Sequence, residues 1–308
     1  MCTAIFDDML FGRTLDLEYS YGESIVITPR GYKFKYLYEN DNGENGIIGV
    51  AHIQNGMPLY YDGMNEMGLC VAGLNFPKYA LYQSFKEGKI NIASFEFIPY
   101  ILKNCESVED AITLLEKMNI TADNFSSSLV ATPLHWMIVD KKDAIVVESG
   151  ENGLKIHKNF YGVMTNSPNF EFHKANLSNF MGISGETPEN RICNTDIEIY
   201  SRGLGGVGLP GDFSSASRFI RGVFLKNHTV KDGDKIGRFF HIMDNLSVPK
   251  GCIITDAGES VYTVYTSCMD IKNCEYNFVT YENRCIKKVM LYDYLLDGNE
   301  LLKFEVHK

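Results

Sequence analysis

The sequence predicts an α+β fold in which two antiparallel sheets pack against each other with helices on the outside. Short runs rich in β-branched and aromatic residues fill the first third of the chain. Asp, Gly, Asn and Pro separate them, which is typical of strands joined by hairpins. Further along, runs with helical periodicity alternate with more strand runs. This order of elements favours layered sheets covered by helices.

The elements follow in chain order. The first strands are predicted at 3–6, 10–18, 23–29, 46–53, 58–64 and 69–76. Two helices are predicted at 94–104 and 107–118, the second opened by Ser107 as N-cap with Asp110 three residues later. Strands return at 134–140, 144–150, 154–159 and 161–166, the first two joined as a hairpin. Helices at 170–181, 214–228 and 235–246 precede final strands at 261–270, 275–283 and 285–293.

The 308 residues are predicted to form a single domain over 1–308. Hydrophobic residues make up 45% of the chain and charged residues 22%, which is enough apolar surface for a substantial core. No Pro/Gly/Ser-rich linker, internal repeat or low-complexity segment divides the sequence. The Gly-rich stretch SRGLGGVGLPGDF at 201–213 is predicted to be a surface loop near a site.

The charge balance excludes some classes of partner. A formal net charge of -10 argues against binding to nucleic acid or to an anionic membrane, because phosphates and acidic lipids would be repelled. The N-terminus lacks the pattern of a secretory signal, and no apolar run approaches the ~20 residues of a membrane span. We therefore expect a cytoplasmic protein.

The eight cysteines are scattered and include no C-x-x-C pair, which is typical of neither a disulfide framework nor a zinc site. Most are expected to be reduced core residues without chemistry of their own. The seven histidines show no paired ligand spacing either, so no metal is predicted. His135 and His173 are interpreted as packed or surface residues rather than as partners of a catalytic cysteine.

Cys2 differs from the other cysteines because it directly follows Met1. Removal of Met1 would give one residue both a thiol and an α-amine, and an amine with a pKa of about 7.7–8.0 can accept the thiol proton near neutral pH. Arg13, across a hairpin predicted to turn at Asp7-Asp8, could stabilise the thiolate, while Asp16 could orient the α-ammonium. On position alone, Cys2 could equally be a buried strand-end residue beside an exposed Arg13–Asp16 ion pair.

Six segments, in order along nearly the whole chain, resemble signature segments of the choloylglycine hydrolase family of N-terminal-nucleophile hydrolases. They are MCT, FGRTLDLE, DGMNEMGLCVAGLNFP, LHWMIVD, MTNSPNFEFH and GLPGDFSSASRFIR. The resemblance implies a four-layer αββα sandwich that hydrolyses amide C–N bonds without a metal or an organic cofactor. It also implies a homo-oligomer, with a tetramer expected.

The resemblance also implies roles for individual residues. Cys2 would attack the amide carbonyl, with Arg13 and Asp16 assisting the thiol and the amine. Asn166, from the segment TNSP, would contribute to an oxyanion hole, where fixed donors stabilise charge that develops in the transition state. Arg218, the first arginine of SRFIR, would be a charged support for the site.

The expected substrates are glycine- and taurine-conjugated bile salts such as glycocholate and taurocholate. Asn75, from GLNFP, is implied as a substrate-binding residue that also serves the oxyanion hole. Penicillin V acylases of the family more often have tyrosine at this position, so Asn75 favours bile salts over penicillin V. A penicillin V acylase remains the alternative, and a catalytically silent ligand-binding relative is the second.

The first hairpin departs from the family pattern. It is about five residues shorter than usual, with ten residues between Cys2 and Arg13. If only the turn is clipped, the strand pairing survives. If the register is shifted, Arg13 would point away from Cys2, because a one-residue slip moves side chains to the other face. Thr14 also stands where the family often has asparagine.

Overall fold

The computed structural model describes residues 1–306, which form 17 strands and five α-helices. The strands are β1 (Cys2–Asp7), β2 (Leu10–Leu17), β3 (Ser24–Thr28), β4 (Ile47–Gln54), β5 (Met57–Asn65), β6 (Cys70–Asn75), β7 (Ile90–Ala93), β8 (Met118–Thr121), β9 (Leu134–Val139), β10 (Ala144–Gly150), β11 (Gly153–Lys158), β12 (Val163–Met164), β13 (Ile253–Ile254), β14 (Ser260–Asp270), β15 (Glu275–Thr280), β16 (Lys287–Met290) and β17 (Leu302–Glu305). The helices are α1 (Phe97–Asn104), α2 (Val108–Leu115), α3 (Phe170–Asn176), α4 (Ser215–His228) and α5 (Lys235–Asp244).

Most of the strands belong to two antiparallel sheets. The first sheet has the order β12-β1-β2-β14-β15-β16, with β13 paired to β14. The second has the order β11-β10-β9-β6-β5-β4-β3-β17. A separate parallel pair, β7 and β8, lies outside both sheets. The strand order places β1 and β2 side by side in the first sheet, and this pair carries Cys2 and Arg13.

Two apolar cores hold the layers together. The larger core combines side chains from both sheets, among them Ala4 and Tyr265 from the first and Val50 and Ala72 from the second, and it extends to residues of α4 and α5. The smaller core lies between the second sheet and α1 and α2. Helices α4 and α5 contact the first sheet, and α1 contacts the second. The layers therefore run helix, sheet, sheet, helix, which confirms the predicted αββα sandwich.

The shortened first hairpin keeps its register. Cys2 pairs with Leu15 and Ala4 pairs with Arg13. Side chains two residues apart on a strand share a face, so the side chains of Cys2 and Arg13 lie on the same side of the sheet. The pairing matches the clipped turn and excludes the shifted register.

The turn of this hairpin lies one residue later than predicted. Asp7 is the last residue of β1 and pairs with Leu10. Asp8 and Met9 form the turn with φ values of 52° and 63°. Two central residues with positive φ are the geometry that matches the twist of paired strands. The predicted turn at Asp7-Asp8 is therefore wrong by one residue.

Strand β2 approaches β14 unusually closely at Gly12. A Cβ atom at this position would lie 2.0 Å from the backbone oxygen of Ser267. The neighbouring Arg13 donates its backbone N–H to Ser267 Oγ at 3.1 Å. Only glycine allows this approach, which fixes the backbone of Arg13 against the centre of the sheet.

All five predicted helices are present, with ends that differ by a few residues. Ser107 caps α2 by accepting the backbone N–H of Asp110 at 3.1 Å, as predicted. The predicted helix at 94–104 begins with a 3-10 turn over Ser94–Glu96, and the one at 170–181 ends with a 3-10 turn over Leu177–Phe180.

Some short strands were not predicted. Strand β8 begins at Met118, where the sequence predicts the end of a helix, because this segment forms a parallel ladder with β7. Strand β17 adds an edge to the second sheet through β3. Each has four residues, too few for a periodic pattern to be recognised. The single-domain boundary at 1–308 stays a prediction, and residues 307–308 lie outside the described part.

Candidate active site

Cys2 lies at the start of β1, with only 2% of its surface exposed, at the floor of a cleft of about 310 Å³. Its backbone N–H donates to Asn166 Oδ1 at 2.8 Å. Its Sγ accepts a hydrogen bond from Arg13 Nη2. The thiol that the sequence singled out therefore faces a cleft and a guanidinium.

Arg13 is fully buried, and every nitrogen of its guanidinium has an acceptor. Nη1 donates to the backbone oxygens of Tyr61 at 3.2 Å and Gly73 at 2.8 Å, and Nε donates to Thr14 O at 3.1 Å. Burial acts to lower the pKa of Arg13, but the negative charge of the Cys2 thiolate and of nearby carboxylate and phenol groups raises it overall. A fixed positive charge thus lies against the sulfur.

Sequence reasoning missed a buried carboxylate that lies close to Arg13. Asp62, on β5, accepts hydrogen bonds from Tyr265 OH at 2.5 Å and from Tyr276 OH. Burial raises the pKa of Asp62, while the charge of Arg13 and the two tyrosine hydroxyls oppose this effect. The only signal in the sequence is an aspartate inside the otherwise apolar run MPLYYDGM.

Arg218, on α4, is also fully buried and reaches the other side of Cys2. Its Nη2 donates to Asn166 Oδ1 at 2.8 Å, and its Nη1 donates to Thr3 Oγ1 at 2.7 Å and to the backbone oxygen of Cys2. Burial lowers the pKa of Arg218, and the charges of Asp16 and Cys2 act in the opposite direction. Arg218 therefore binds the backbone oxygen of Cys2 and the side chain of Asn166.

The side-chain amide of Asn166 has a defined orientation. Its Oδ1 accepts from Cys2 N and from Arg218, both at 2.8 Å, and its Nδ2 donates to the backbone oxygen of Asn75 at 2.8 Å. The reverse orientation would set an NH₂ group against two donors. Asn75 ends β6 and lines the cleft beside Cys2.

The carboxylate of Asp16 is buried and held by two threonines. Thr263 Oγ1 donates to Oδ1 at 2.7 Å and Thr14 Oγ1 donates to Oδ2 at 3.2 Å. The backbone oxygen of Asp16, rather than its carboxylate, accepts from the α-ammonium of Met1 at 2.6 Å. Thr14, the departure from the family pattern, therefore supports Asp16 directly.

The cleft above Cys2 is lined mainly by apolar and aromatic side chains. They include Leu17, Leu59, Tyr61, Phe95, Phe125 and Leu134. Glu18 and His52 add polar groups to this lining. An apolar cleft with a few polar groups and a nucleophile at its floor suits an apolar ligand whose polar end reaches the thiol.

A larger cleft of about 600 Å³ lies at the turn end of the first hairpin. Its lining includes Asp7, Lys142 and Lys226 but no cysteine. We assign the chemistry to the smaller cleft, because it contains the thiol and its guanidinium neighbour.

The two histidines considered in the sequence hold backbone carbonyls. His135 Nε2 lies 2.7 Å from Thr165 O, and the ring stacks on Phe76 at 4.2 Å. His173 Nε2 lies 2.9 Å from Asn166 O, and burial lowers the pKa of His173. Both rings therefore support the segment that carries Asn166.

Within residues 1–306, no group of three or more His, Cys, Asp or Glu side chains is arranged to hold a metal ion. None of the helices in that part of the chain has the length and apolar character needed to cross a bilayer.

The αββα sandwich with a cysteine at the head of its first strand defines a class, the N-terminal-nucleophile hydrolase fold. The chain belongs to the choloylglycine hydrolase family within it. The family model for linear amide C-N hydrolases, choloylglycine hydrolase family, matches residues 2–304. The resemblance seen in the sequence is thereby confirmed, and the chain is an amide C–N hydrolase.

Relatives and solved structures agree with this family. The chain is 43% identical over 313 residues to a bile salt hydrolase/transferase of Lactiplantibacillus plantarum, covering 99% of this chain and 96% of the relative. The C2A mutant of conjugated bile acid hydrolase from Clostridium perfringens superposes with a TM-score of 0.92 at 38% identity, covering 99% and 96% of the two chains. Penicillin V acylase from Agrobacterium tumefaciens shares the fold, with a TM-score of 0.78 at 22% identity and coverage of 99% and 91%.

Proposed function

We propose that this protein hydrolyses the amide bond of glycine- and taurine-conjugated bile salts, with Cys2 as the nucleophile. The observation that carries the proposal is the contact between Cys2 Sγ and the buried guanidinium of Arg13 at the floor of an apolar cleft. The relatives named bile salt hydrolase or conjugated bile acid hydrolase support the choice of substrate.

The first step activates the thiol. Removal of Met1 would turn the backbone nitrogen of Cys2 into an α-amine, which Asn166 Oδ1 is placed to orient from 2.8 Å. This amine accepts the thiol proton, and Arg13 stabilises the thiolate that remains. To the carboxylate of Asp16, which Thr14 and Thr263 hold, we assign the role of balancing the charge of the α-ammonium that forms.

The thiolate then attacks the amide carbon of the substrate and a tetrahedral oxyanion forms. We assign the stabilising donors to the side-chain amides of Asn75 and Asn166; one N–H of Asn166 Nδ2 holds Asn75 O and the second serves the oxyanion. The α-ammonium of Cys2 gives its proton to the departing nitrogen of glycine or taurine. Water hydrolyses the resulting thioester, and no metal or organic cofactor takes part.

The apolar cleft supports a steroid as the group bound beside the thiol, with the conjugated amide reaching Cys2. Asn75 at the edge of the cleft favours a bile salt over penicillin V in this proposal. Penicillin V acylase is the alternative, because a protein of that name has the same fold.

We further propose that the chain is one domain, acts in the cytoplasm and assembles as a homotetramer. All eight cysteines are free, which suits a reducing compartment. Met181, Ile192, Tyr200 and Val207, on one long irregular segment, are 73% to 90% exposed, and such apolar surface favours burial against another copy. Light scattering of the purified protein measures the assembled mass, and the mass of a single chain would contradict the tetramer.

The test of the function is release of glycine, taurine or phenoxyacetate from glycocholate, taurocholate and penicillin V by untagged protein. Mass spectrometry first verifies the loss of Met1. We expect release from the bile salts, little release from penicillin V, and no turnover by Cys2→Ala with an unchanged thermal unfolding midpoint. Cys193→Ala, which removes an exposed thiol, is the matched control and should keep full activity.

Three results would change the proposal. Full activity of Cys2→Ala, or of protein that retains Met1, would contradict the mechanism. Cleavage of penicillin V alone would make the chain an acylase. A processed chain that neither turns over substrate nor reacts at Cys2 with iodoacetamide would be the silent ligand-binding relative.

A further inference from the structure

A row of ionisable side chains lies behind the segment that carries Asn166. His157 Nδ1 lies 3.0 Å from Glu171 Oε1, and His157 Nε2 lies 3.2 Å from Glu148 Oε2. On the far side of Glu148, His135 Nδ1 lies 3.7 Å from Oε1. Glu148, His135 and His157 are each at least 94% buried, whereas Glu171 stands at the surface. The mechanism proposed above uses none of these four side chains.

The geometry places Glu148 between two imidazole rings. Both ring nitrogens of His157 lie within ion-pair distance of carboxylate oxygens, and Nδ1 also has hydrogen-bond geometry toward Glu171. His135 Nε2 faces the backbone oxygen of Thr165 and therefore carries a proton, which leaves Nδ1 turned towards Glu148. Glu148 is thus a buried carboxyl group within ion-pair distance of two imidazole rings.

The ionised state of Glu148 is strongly favoured. Burial acts to raise its pKa, but the interactions with His135 and His157 outweigh burial and lower the pKa to about 2. Glu148 Oε1 also accepts the backbone N–H of Phe170 at 2.7 Å, at the start of α3. Its carboxylate therefore lies close to two imidazole rings and accepts one backbone hydrogen bond.

These contacts hold the Asn166 segment at both ends. Before Asn166, the backbone oxygen of Thr165 accepts a hydrogen bond from His135 Nε2, and the other ring nitrogen of His135 faces Glu148. After Asn166, the N–H of Phe170 donates directly to Glu148. Residues 165–170 are thereby tied to one carboxylate on β10, while the Asn166 side chain reaches Cys2 on β1.

We propose that Glu148 is a positioning residue for the reaction: it fixes the segment 165–170 so that the amide of Asn166 meets the nitrogen of Cys2. The assignment rests on the proposed function, because it takes Asn166 as part of the catalytic machinery. Glu148 touches neither Cys2 nor the cleft, so its effect on the reaction passes through Asn166.

The test compares Glu148→Gln with the wild-type protein. Glutamine keeps the shape and one acceptor but removes the negative charge that faces both histidines. We expect kcat to fall at least about tenfold with KM within about twofold, because the apolar cleft is built by other segments. The rate is expressed per Cys2 thiol that iodoacetamide can label, so that loss of folded protein does not count as loss of catalysis. Glu275→Gln, which breaks the ion pair with Lys288 on the first sheet, is the matched control.

A double-mutant cycle separates positioning through Asn166 from general damage. If Glu148 acts through Asn166, then Glu148→Gln should slow Asn166→Ala hardly at all, although it slows the wild-type protein tenfold. Independent, multiplicative losses would overturn the proposal. So would a tenfold loss that appears in KM rather than in kcat.

Hydrogen–deuterium exchange of a peptide spanning 163–170 gives a reading that does not depend on activity. Exchange should be faster in Glu148→Gln than in the wild-type protein and unchanged in Glu275→Gln. Unchanged exchange in Glu148→Gln would overturn the assignment even if activity fell. Absence of bile salt hydrolysis by the wild-type protein would instead overturn the proposed function, and with it the catalytic part of the assignment.

Discussion

Glu148 should make the stability of the protein depend on pH in the acid range. Its pKa is about 2 in the folded protein against an ordinary value of 4.5. Because the folded value is the lower one, ionised Glu148 stabilises the fold. This contribution is complete above the unfolded value, and it is lost as the pH falls from about 4.5 through about 2.

The size of the effect follows from the two pKa values. A pKa difference of about 2.5 corresponds to about 3 kcal/mol of unfolding free energy, at about 1.4 kcal/mol for each pH unit. The side chain is 8% exposed, so solvent screens the interaction little. By pH 3 about 2 kcal/mol of this contribution should be gone, since the unfolded chain is then protonated and the folded protein is still mostly ionised.

Urea unfolding of the wild-type protein and Glu148→Gln between pH 7 and pH 3 measures this loss. Trp136 is the single tryptophan, fully buried and stacked on Phe97 at 4.0 Å, so its fluorescence reports unfolding. The wild-type protein should be more stable than the variant by about 3 kcal/mol at pH 7 and by about 1 kcal/mol at pH 3. A difference that stays constant across this range would refute the charge assignment of Glu148.

Two further variants probe the first hairpin. Arg13→Gln removes the positive charge that lies beside Cys2. Two opposite charges 4 Å apart attract by about 4 kcal/mol at an effective dielectric constant of about 20, so iodoacetamide should alkylate Cys2 at least tenfold more slowly at pH 7. An unchanged rate would show that Arg13 does not stabilise the thiolate. Gly12→Ala places a Cβ atom 2.0 Å from Ser267 O and should lower the unfolding free energy by about 3 kcal/mol or more. Wild-type stability of Gly12→Ala in urea would mean that β2 and β14 can separate without cost.

Much of the fold could be predicted from the sequence because its elements carry their own patterns. The long strands and the helices have clear periodicity, and caps such as Ser107 mark helix starts. The four-residue strands β7, β8 and β17 carry no such pattern, and their pairing partners lie far away in the chain. Tertiary pairing, rather than local preference, decides these segments.

The residues of the candidate site also differ in how well the sequence could predict them. Cys2 and Arg13 lie in one hairpin, so register alone could bring them together. Asn166 and Arg218 needed the family resemblance, since Asn166 lies 164 positions after Cys2 in the chain. Glu148 could not be identified, because the role of an acidic residue in a strand depends on the side chains that the fold places around it.

Arg13 joins the two sheets as well as donating a hydrogen bond to the sulfur of Cys2. It belongs to the first sheet, yet its guanidinium donates to Tyr61 O and Gly73 O on neighbouring strands of the second sheet. The spacing of the two sheets therefore sets where the charge lies relative to Cys2. Any loosening of the layers by heat or by a cavity in the larger core should move the guanidinium before the chain unfolds. The rate at which the Cys2 thiol reacts would then report the separation of the two sheets.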